Sequence, residues 1–167
     1  MSTAEVALSR GLVALVDEED YDLVRQHRWH ACRDGQTAYA RRSIRHLSGQ
    51  GTECMHTFLT GWPMVDHRNG NGLDNRRANL RPATKSQNGA NRLIAASNKS
   101  GFKGVDLKKG RWRAQIKVVG SKIHLGYFDL AEEAARAYDM AAIEAFGEFA
   151  TLNFPSPGQR SANGGAS

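Results

Sequence analysis

The rhythm of apolar and polar positions changes several times along the chain, and each change marks a different element. Residues 11–16 (GLVALV) form a short apolar run that predicts a buried strand. Asp17 to Asp20 then offer an N-cap and an acidic first turn for a short helix through about His27. Residues 28–33 and 37–44 alternate well enough to predict two strands joined at Asp34-Gly35. Residues 47–53 are Gly-rich and polar and read as a loop, and 54–60 (CMHTFLT) as a short helix. From Pro63 the texture shifts. Residues 64–67 read as the end of a strand, and 68–79 as a long loop holding the turn signals Asn69-Gly70 and Asn71-Gly72. Residues 80–83 return as a second strand. Thr84 and Gln87 have the spacing of a capping box, opening a helix to about Ile94.

Residues 95–100 (AASNKS) are small and polar and predict a linker. Three strands follow at 102–107, 111–118 and 122–128, with Gly110 and Gly120 at the turns. Residues 130–146 are strong helix formers. Leu130, Ala134, Ala137, Tyr138, Ala141, Ala142 and Ala145 share one face, and their small size predicts a helix lying close on a sheet. Gly147 is a natural stop, and 156–167 has the composition of a disordered tail.

The 167 residues leave room for one ordinary domain or two small ones, and 40% apolar content is enough for real cores. No apolar run approaches the roughly 18 residues of a membrane span. The first residues lack a basic stretch followed by an apolar one, so no signal peptide is expected. Cys32 and Cys54 are too few for a disulfide scaffold and lack a zinc-binding spacing, which makes a reducing, cytoplasmic setting the expectation.

Charge sharpens the picture. The formal net charge is +6, from 23 Lys and Arg against 17 Asp and Glu. Residues 1–60 are near balance, 61–100 and 101–128 are two strongly basic blocks, and 129–155 is acidic. Two basic blocks beside an acidic helix suit a polyanion, and predict two nucleic-acid contact surfaces.

The stretch from Val65 to Arg81 and on to Arg92 carries the chemistry. Asp66 is an oxygen ligand beside a histidine at the end of a strand, where a bend lets both neighbours serve one site. Asn88 falls in the first turn of the next helix, and its carbonyl can meet the same metal. One carboxylate and one amide oxygen suit a hard cation such as Mg²⁺ that keeps several waters. His67 can take a proton from water near neutral pH, and the surrounding arginines can hold phosphates.

This segment, with Asp-His, Asn-Gly, Leu-Asp-Asn-Arg, Asn-Leu-Arg, then Ser-Gln-Asn and Asn-Arg, resembles the HNH endonucleases, specifically the phage and intron-associated branch. The resemblance implies a ββα-metal fold. It implies His67 as general base, Asp66 and Asn88 as ligands of Mg²⁺ (or another divalent cation such as Mn²⁺), and Asn79 as the residue that braces the loop. Arg77, Arg81 and Arg92 are then expected to clamp phosphates. His56, in the phrase MHTFLTG, resembles the family's upstream histidine and is read as structural or substrate-facing. Residues 1–60, with Trp29 and Tyr39 as core, are expected to extend this nuclease core over 61–94.

Residues 101–155 carry a second constellation. On 111–117, Arg111, Arg113, Gln115 and Lys117 share one face by period two, and Trp112, Ala114 and Ile116 the other. A face of basic and amide groups suits a sheet laid in the major groove. The phrases GFKGV, GRWRAQI and HLGYFDLAEEAARAYDMAAIEAFGEFATLNF resemble the Apetala/ethylene-response-factor DNA-binding domain. That resemblance implies DNA contacts at Lys103, Lys108, Arg111, Gln115, Lys117 and Lys122, with Arg113 added by the shared face. Asp106 stands where the plant domains place an Arg.

The expected architecture is α+β: a ββα-metal core with a β-rich N-terminal extension, then a three-stranded antiparallel sheet packed on one helix. The expected function is a metal-dependent, homing-like DNA endonuclease that nicks double-stranded DNA. It is expected to act as a monomer or homodimer, away from membranes, in a bacterial host of a phage that encodes it. The rival is a sequence-specific DNA-binding regulator with an inactive nuclease core. An RNA-binding protein is a third reading, disfavoured by the lack of clustered aromatics.

Overall fold

The computed structural model describes residues 2–35, 37–46 and 49–164, with the His46 side chain left out. Its contacts divide the chain into two compact units, one through Ala83 and one from Thr84 onward.

In the first unit, β1 (Thr3–Ala7) and β2 (Val13–Asp17) form an antiparallel pair, followed by α1 (Glu18–Val24). A second sheet takes the order β3 (His30–Asp34), β4 (Thr37–His46), β5 (Gly49–Cys54), and α2 (Met55–Thr60) follows. Alternating residues of these strands and the inner faces of the helices supply the core: Val6, Ala14, Val16, Val24, Trp29, Ala40, Met55 and Leu59. Residues 49–53 were expected in a loop and instead pair along β4 from Arg41↔Cys54 to His46↔Gly49. Backbone ladder bonds need no apolar side chain. The cross-strand ion pair between Arg42 and Glu53 adds to them at 2.7 Å, with the guanidinium 4.0 Å from the Phe58 ring centre. Residues 47–48 of that expected loop lie outside the described residues. The β6 (Val65–His67) and β7 (Leu80–Pro82) strands close the unit as a short antiparallel pair.

The second unit opens with α3 (Lys85–Ala90). Its capping box is formed: Thr84 Oγ1 accepts the Gln87 N–H at 3.2 Å, and Gln87 Oε1 accepts the Thr84 N–H at 2.8 Å. The helix ends at Ala90, earlier than expected. The Lys103 ammonium donates to the carbonyls of Ala90 and Arg92, satisfying acceptors that a longer helix would have used. A three-stranded antiparallel sheet then follows in the order β10 (Ser121–Phe128), β9 (Arg111–Val118), β8 (Val105–Lys108), with α4 (Ala131–Phe146) against it. Ala134 and Ala135, fully buried, meet Val105 and Ala114, and small side chains on both sides permit the close approach. Gly104 has φ +74°, and a Cβ there would lie 1.9 Å from the Tyr138 ring, so no other residue fits without displacing the helix.

Two expectations need correction here. Residues 156–164, read as part of a disordered tail, are folded. The β11 (Thr151–Leu152) strand pairs in parallel with β12 (Arg160–Ser161), Ala162 is completely buried, and the Arg160 guanidinium donates to the Asn91 carbonyl at 3.0 Å. Composition hid this, because backbone ladders and one arginine do the holding. Residues 165–167 of that tail lie outside the described residues. The contact division also falls ahead of 95–100. Ala90 belongs to the second core with Ile116, Tyr138 and Leu152, while Asn98 and Ser100 build the turn into β8 through bonds to the Gly101 N–H and the Val105 carbonyl.

Candidate functional site

Adjacent residues of the β6–β7 pair bring Asp66 opposite Arg81 and His67 opposite Leu80. Between the strands runs the loop 68–79, and polar side chains hold it in one shape. Asn79 Oδ1 accepts the Asn69 N–H at 3.0 Å, and its amide donates to the Asp74 carbonyl at 2.7 Å. Asp74 takes a two-point contact from Arg76 at 2.8 and 2.7 Å and a bond from the Asn69 amide. Burial pushes the Asp74 carboxyl up, but these donors outweigh it and hold it below the usual carboxylate range. The loop is also tied to the N-terminal hairpin. Leu15 N–H donates to the Leu73 carbonyl, the Leu15 carbonyl accepts from Asn75, and Asp17 accepts the Arg77 N–H. Gly72 lies so close to β4 that a Cβ would meet the Ala38 carbonyl at 2.5 Å.

His67 sits 4% exposed at the end of β6. The fold brings to it two rings that sequence reasoning did not place. His56, on α2, meets it edge-on at 5.0 Å between ring centres, and Tyr39, on β4, lies 5.7 Å from His67 and 5.6 Å from His56. The MHTFLTG phrase was the one signal for His56, while nothing local pointed from Tyr39 to the site. Burial lowers the His67 pKa, partly offset by the Asn75 side chain and the carboxylates of Asp66 and Asp74. His56 is pushed down to about 3, first by burial, then by His67 and Arg41.

The His56 shift predicts an acid sensitivity. In the unfolded chain the imidazole titrates near its ordinary value, while the folded one stays neutral to about 3. The stabilising contribution is therefore full above about pH 6.5 and falls as pH drops toward 3, at up to about 1.4 kcal/mol per pH unit. Urea unfolding at pH 7 and pH 5 should show a loss that shrinks in His56→Phe. Identical pH dependence in both proteins would refute this.

The arginines expected to clamp phosphates divide. Arg81 is buried and makes a two-point contact with Asp66 Oδ2, Nε and Nη2 each at 2.8 Å. Arg77 is held by Asp20 at 2.9 and 2.8 Å and serves to fasten the loop to α1. Arg92 is exposed and makes no ion pair among the described residues, which leaves it available to a phosphate. Asn88 belongs to the second unit, half-buried on α3, whereas Asp66 belongs to the first. Among the described residues no three His, Cys, Asp or Glu side chains gather as a metal cluster. The donors that the resemblance supplies, Asp66 and Asn88, are hard oxygen, the chemistry that Mg²⁺ prefers, but Asp66 is 2% exposed and its Oδ2 is engaged by Arg81.

On the second unit, the solvent face of the sheet carries exposed Lys108, Arg111, Lys117 and Lys122, with half-buried Gln115 and Arg113. Arg111 pairs with Asp129 at 3.1 Å at the surface. Lys103, also expected to contact DNA, donates its ammonium to the carbonyls of Ala90 and Arg92, and burial lowers its pKa to about 8.

Known proteins are similar to parts of this chain. Residues 60–90 match the HNH endonuclease family. Across 86% of the chain and 76% of its own length, an uncharacterised HNH endonuclease of Acanthamoeba polyphaga mimivirus is 28% identical. APETALA2-like protein 2 of Oryza sativa subsp. indica is 52% identical over 35% of this chain, and an AP2-like ethylene-responsive transcription factor of Arabidopsis thaliana 40% identical over 44%. The chain spans 14% of the length of each of these plant proteins. No helix among the described residues is long and apolar enough to cross a membrane.

Proposed function

We propose that the chain is a metal-dependent DNA endonuclease of the HNH type, homing-like in layout, in which the second unit positions the first on double-stranded DNA. The observation that carries the reading is a buried histidine beside a carboxylate on a strand end, its pKa lowered by burial, inside the segment that matches the HNH family. Neutral His67 accepts a proton from water as that water attacks a phosphodiester in line. By the resemblance, Asp66 and Asn88 would hold a divalent cation, which when bound would offset the charge gathering on the phosphate and the leaving 3′-oxygen. Asn79 keeps the loop in shape, so that the groups ahead of it need no reorganisation during the reaction. Arg92 meets the backbone. The AP2-like matches, with the resemblance carried by residues 101–155, support DNA binding by the second unit.

One such site per chain cuts one strand, so a monomer should nick. Supercoiled plasmid incubated with the protein should convert to open circle with Mg²⁺ or Mn²⁺ and stay intact with EDTA. Cleavage insensitive to EDTA would refute the metal. No cleavage with any divalent cation, with duplex binding retained, would favour a DNA-binding regulator.

A further inference from the structure

On the solvent face of the second unit's sheet, Arg113 on β9 stands opposite Asp106 on β8 in the ladder. The two side chains make a parallel pair of charge-assisted bonds: Nε to Oδ1 at 2.9 Å and Nη2 to Oδ2 at 2.6 Å. We propose that Arg113, braced by Asp106, reads a guanine in the major groove and fixes one G·C pair of the target. This rests on the reading of the second unit as a DNA-binding surface.

The donor count carries the argument. A guanidinium has five N–H groups. Asp106 engages the Nε–Nη2 side of the fork. The end of the fork, Nη1 and the outer hydrogen of Nη2, is left over, and no other hydrogen bond of Arg113 occurs among the described residues. That end has the spacing of the guanine O6 and N7 acceptors. The carboxylate fixes the fork before DNA arrives, so the ordering cost is already met.

Position separates this arginine from its neighbours. Arg113 lies on the central strand, 21% exposed, between Asp106 on one side and Tyr127 on the other. Lys108 and Lys122 lie on the outer strands, and Lys117 at the far end of β9. Flexible lysines at the margins suit phosphates, which position a protein without specifying sequence. A carboxylate beside Arg113 repels phosphate oxygens, whereas a base edge carries no net charge. An acid in the middle of a basic face is therefore a device for selecting bases over backbone.

The test is site selection from a random duplex library, using the full chain in EDTA so that binding is read without cleavage. Wild type should enrich a site containing a fixed G·C pair. Arg113→Ala and Arg113→Lys should lose the preference at that pair alone, with affinity for the selected site down about 5- to 150-fold. Asp106→Asn should narrow the same preference while binding to unselected duplex holds or rises. Lys117→Ala should weaken all sites alike and lower the salt slope by about 1. If both Arg113 variants select the wild-type site with every preference intact, the assignment is overturned. If wild type shows no salt-sensitive duplex binding, the reading of the second unit fails and the assignment goes with it.

Discussion

Replacing His67 by alanine is expected to slow metal-dependent plasmid nicking by about 10²- to 10⁴-fold while duplex binding is retained. The magnitude is that of a positioned base: without it, water must lose its proton to solvent. The fold supports the role because burial depresses the imidazole pKa, while Asp66, Asp74 and the Asn75 side chain keep it from falling further. A base that stays neutral at working pH yet has carboxylates nearby can accept a proton and hold the charge briefly. The side chain is buried, so truncation also removes packing. His67→Gln, which fills more of the space but cannot act as a base, controls for that loss and should be nearly as slow. If His67→Ala cuts at the wild-type rate and His56→Ala does not, the base is the other member of the ring pair.

Removing the Arg81 guanidinium should cost the first unit about 3–5 kcal/mol of stability. Arg81 and Asp66 are 5% and 3% exposed, and both N–H bonds of the fork end on one carboxylate oxygen. Arg81→Met leaves that carboxylate buried without its counter-charge. Asp66→Leu with Arg81→Met removes both charges and should recover most of the loss, because an apolar pair of similar volume has no desolvation penalty. Urea unfolding followed by fluorescence of Trp29, in the first core, reads the difference. A loss under about 1 kcal/mol would mean that water reaches the pair, and the burial argument would fall.

Much of this molecule was legible locally. The Thr84–Gln87 capping box and the turns at Gly110 and Gly120 are each encoded within a few residues, and the structure has each. The α4 face is only partly as read: Ala134, Tyr138 and Ala142 are buried, Leu130 and Ala145 are exposed, and Ala135, Asp139 and Phe146 join the buried side. Side chains paired across the fold were not legible. Arg77 and Arg81 look like phosphate ligands in a line of sequence, and the acids that engage them lie 57 and 15 residues away. Tyr39 reaches His67 only because β4 runs beside the loop. The β1 strand, and the β5 strand hidden in a Gly-rich phrase, are held by ladders rather than by apolar pattern, so periodicity had little to detect. Lys103 sits in a basic phrase, yet its ammonium points inward, which no spacing rule distinguishes from an exposed lysine.

The ties between the loop 68–79 and β2 bear on how this kind of motif can be moved between proteins. The segment that matches the HNH family, residues 60–90, is not a portable cassette. Cut out at residue 60, it would leave behind the Leu15 backbone and the Asp17 carboxylate that hold Leu73, Asn75 and Arg77, and the Asp20 carboxylate opposite the Arg77 side chain. A transplant into another scaffold would need a host strand offering the same donor and acceptor at the same height, with two acids close behind it. The short signature marks where the chemistry is proposed, while the acids that keep its loop in shape lie 57 and 60 residues before Arg77 in the chain.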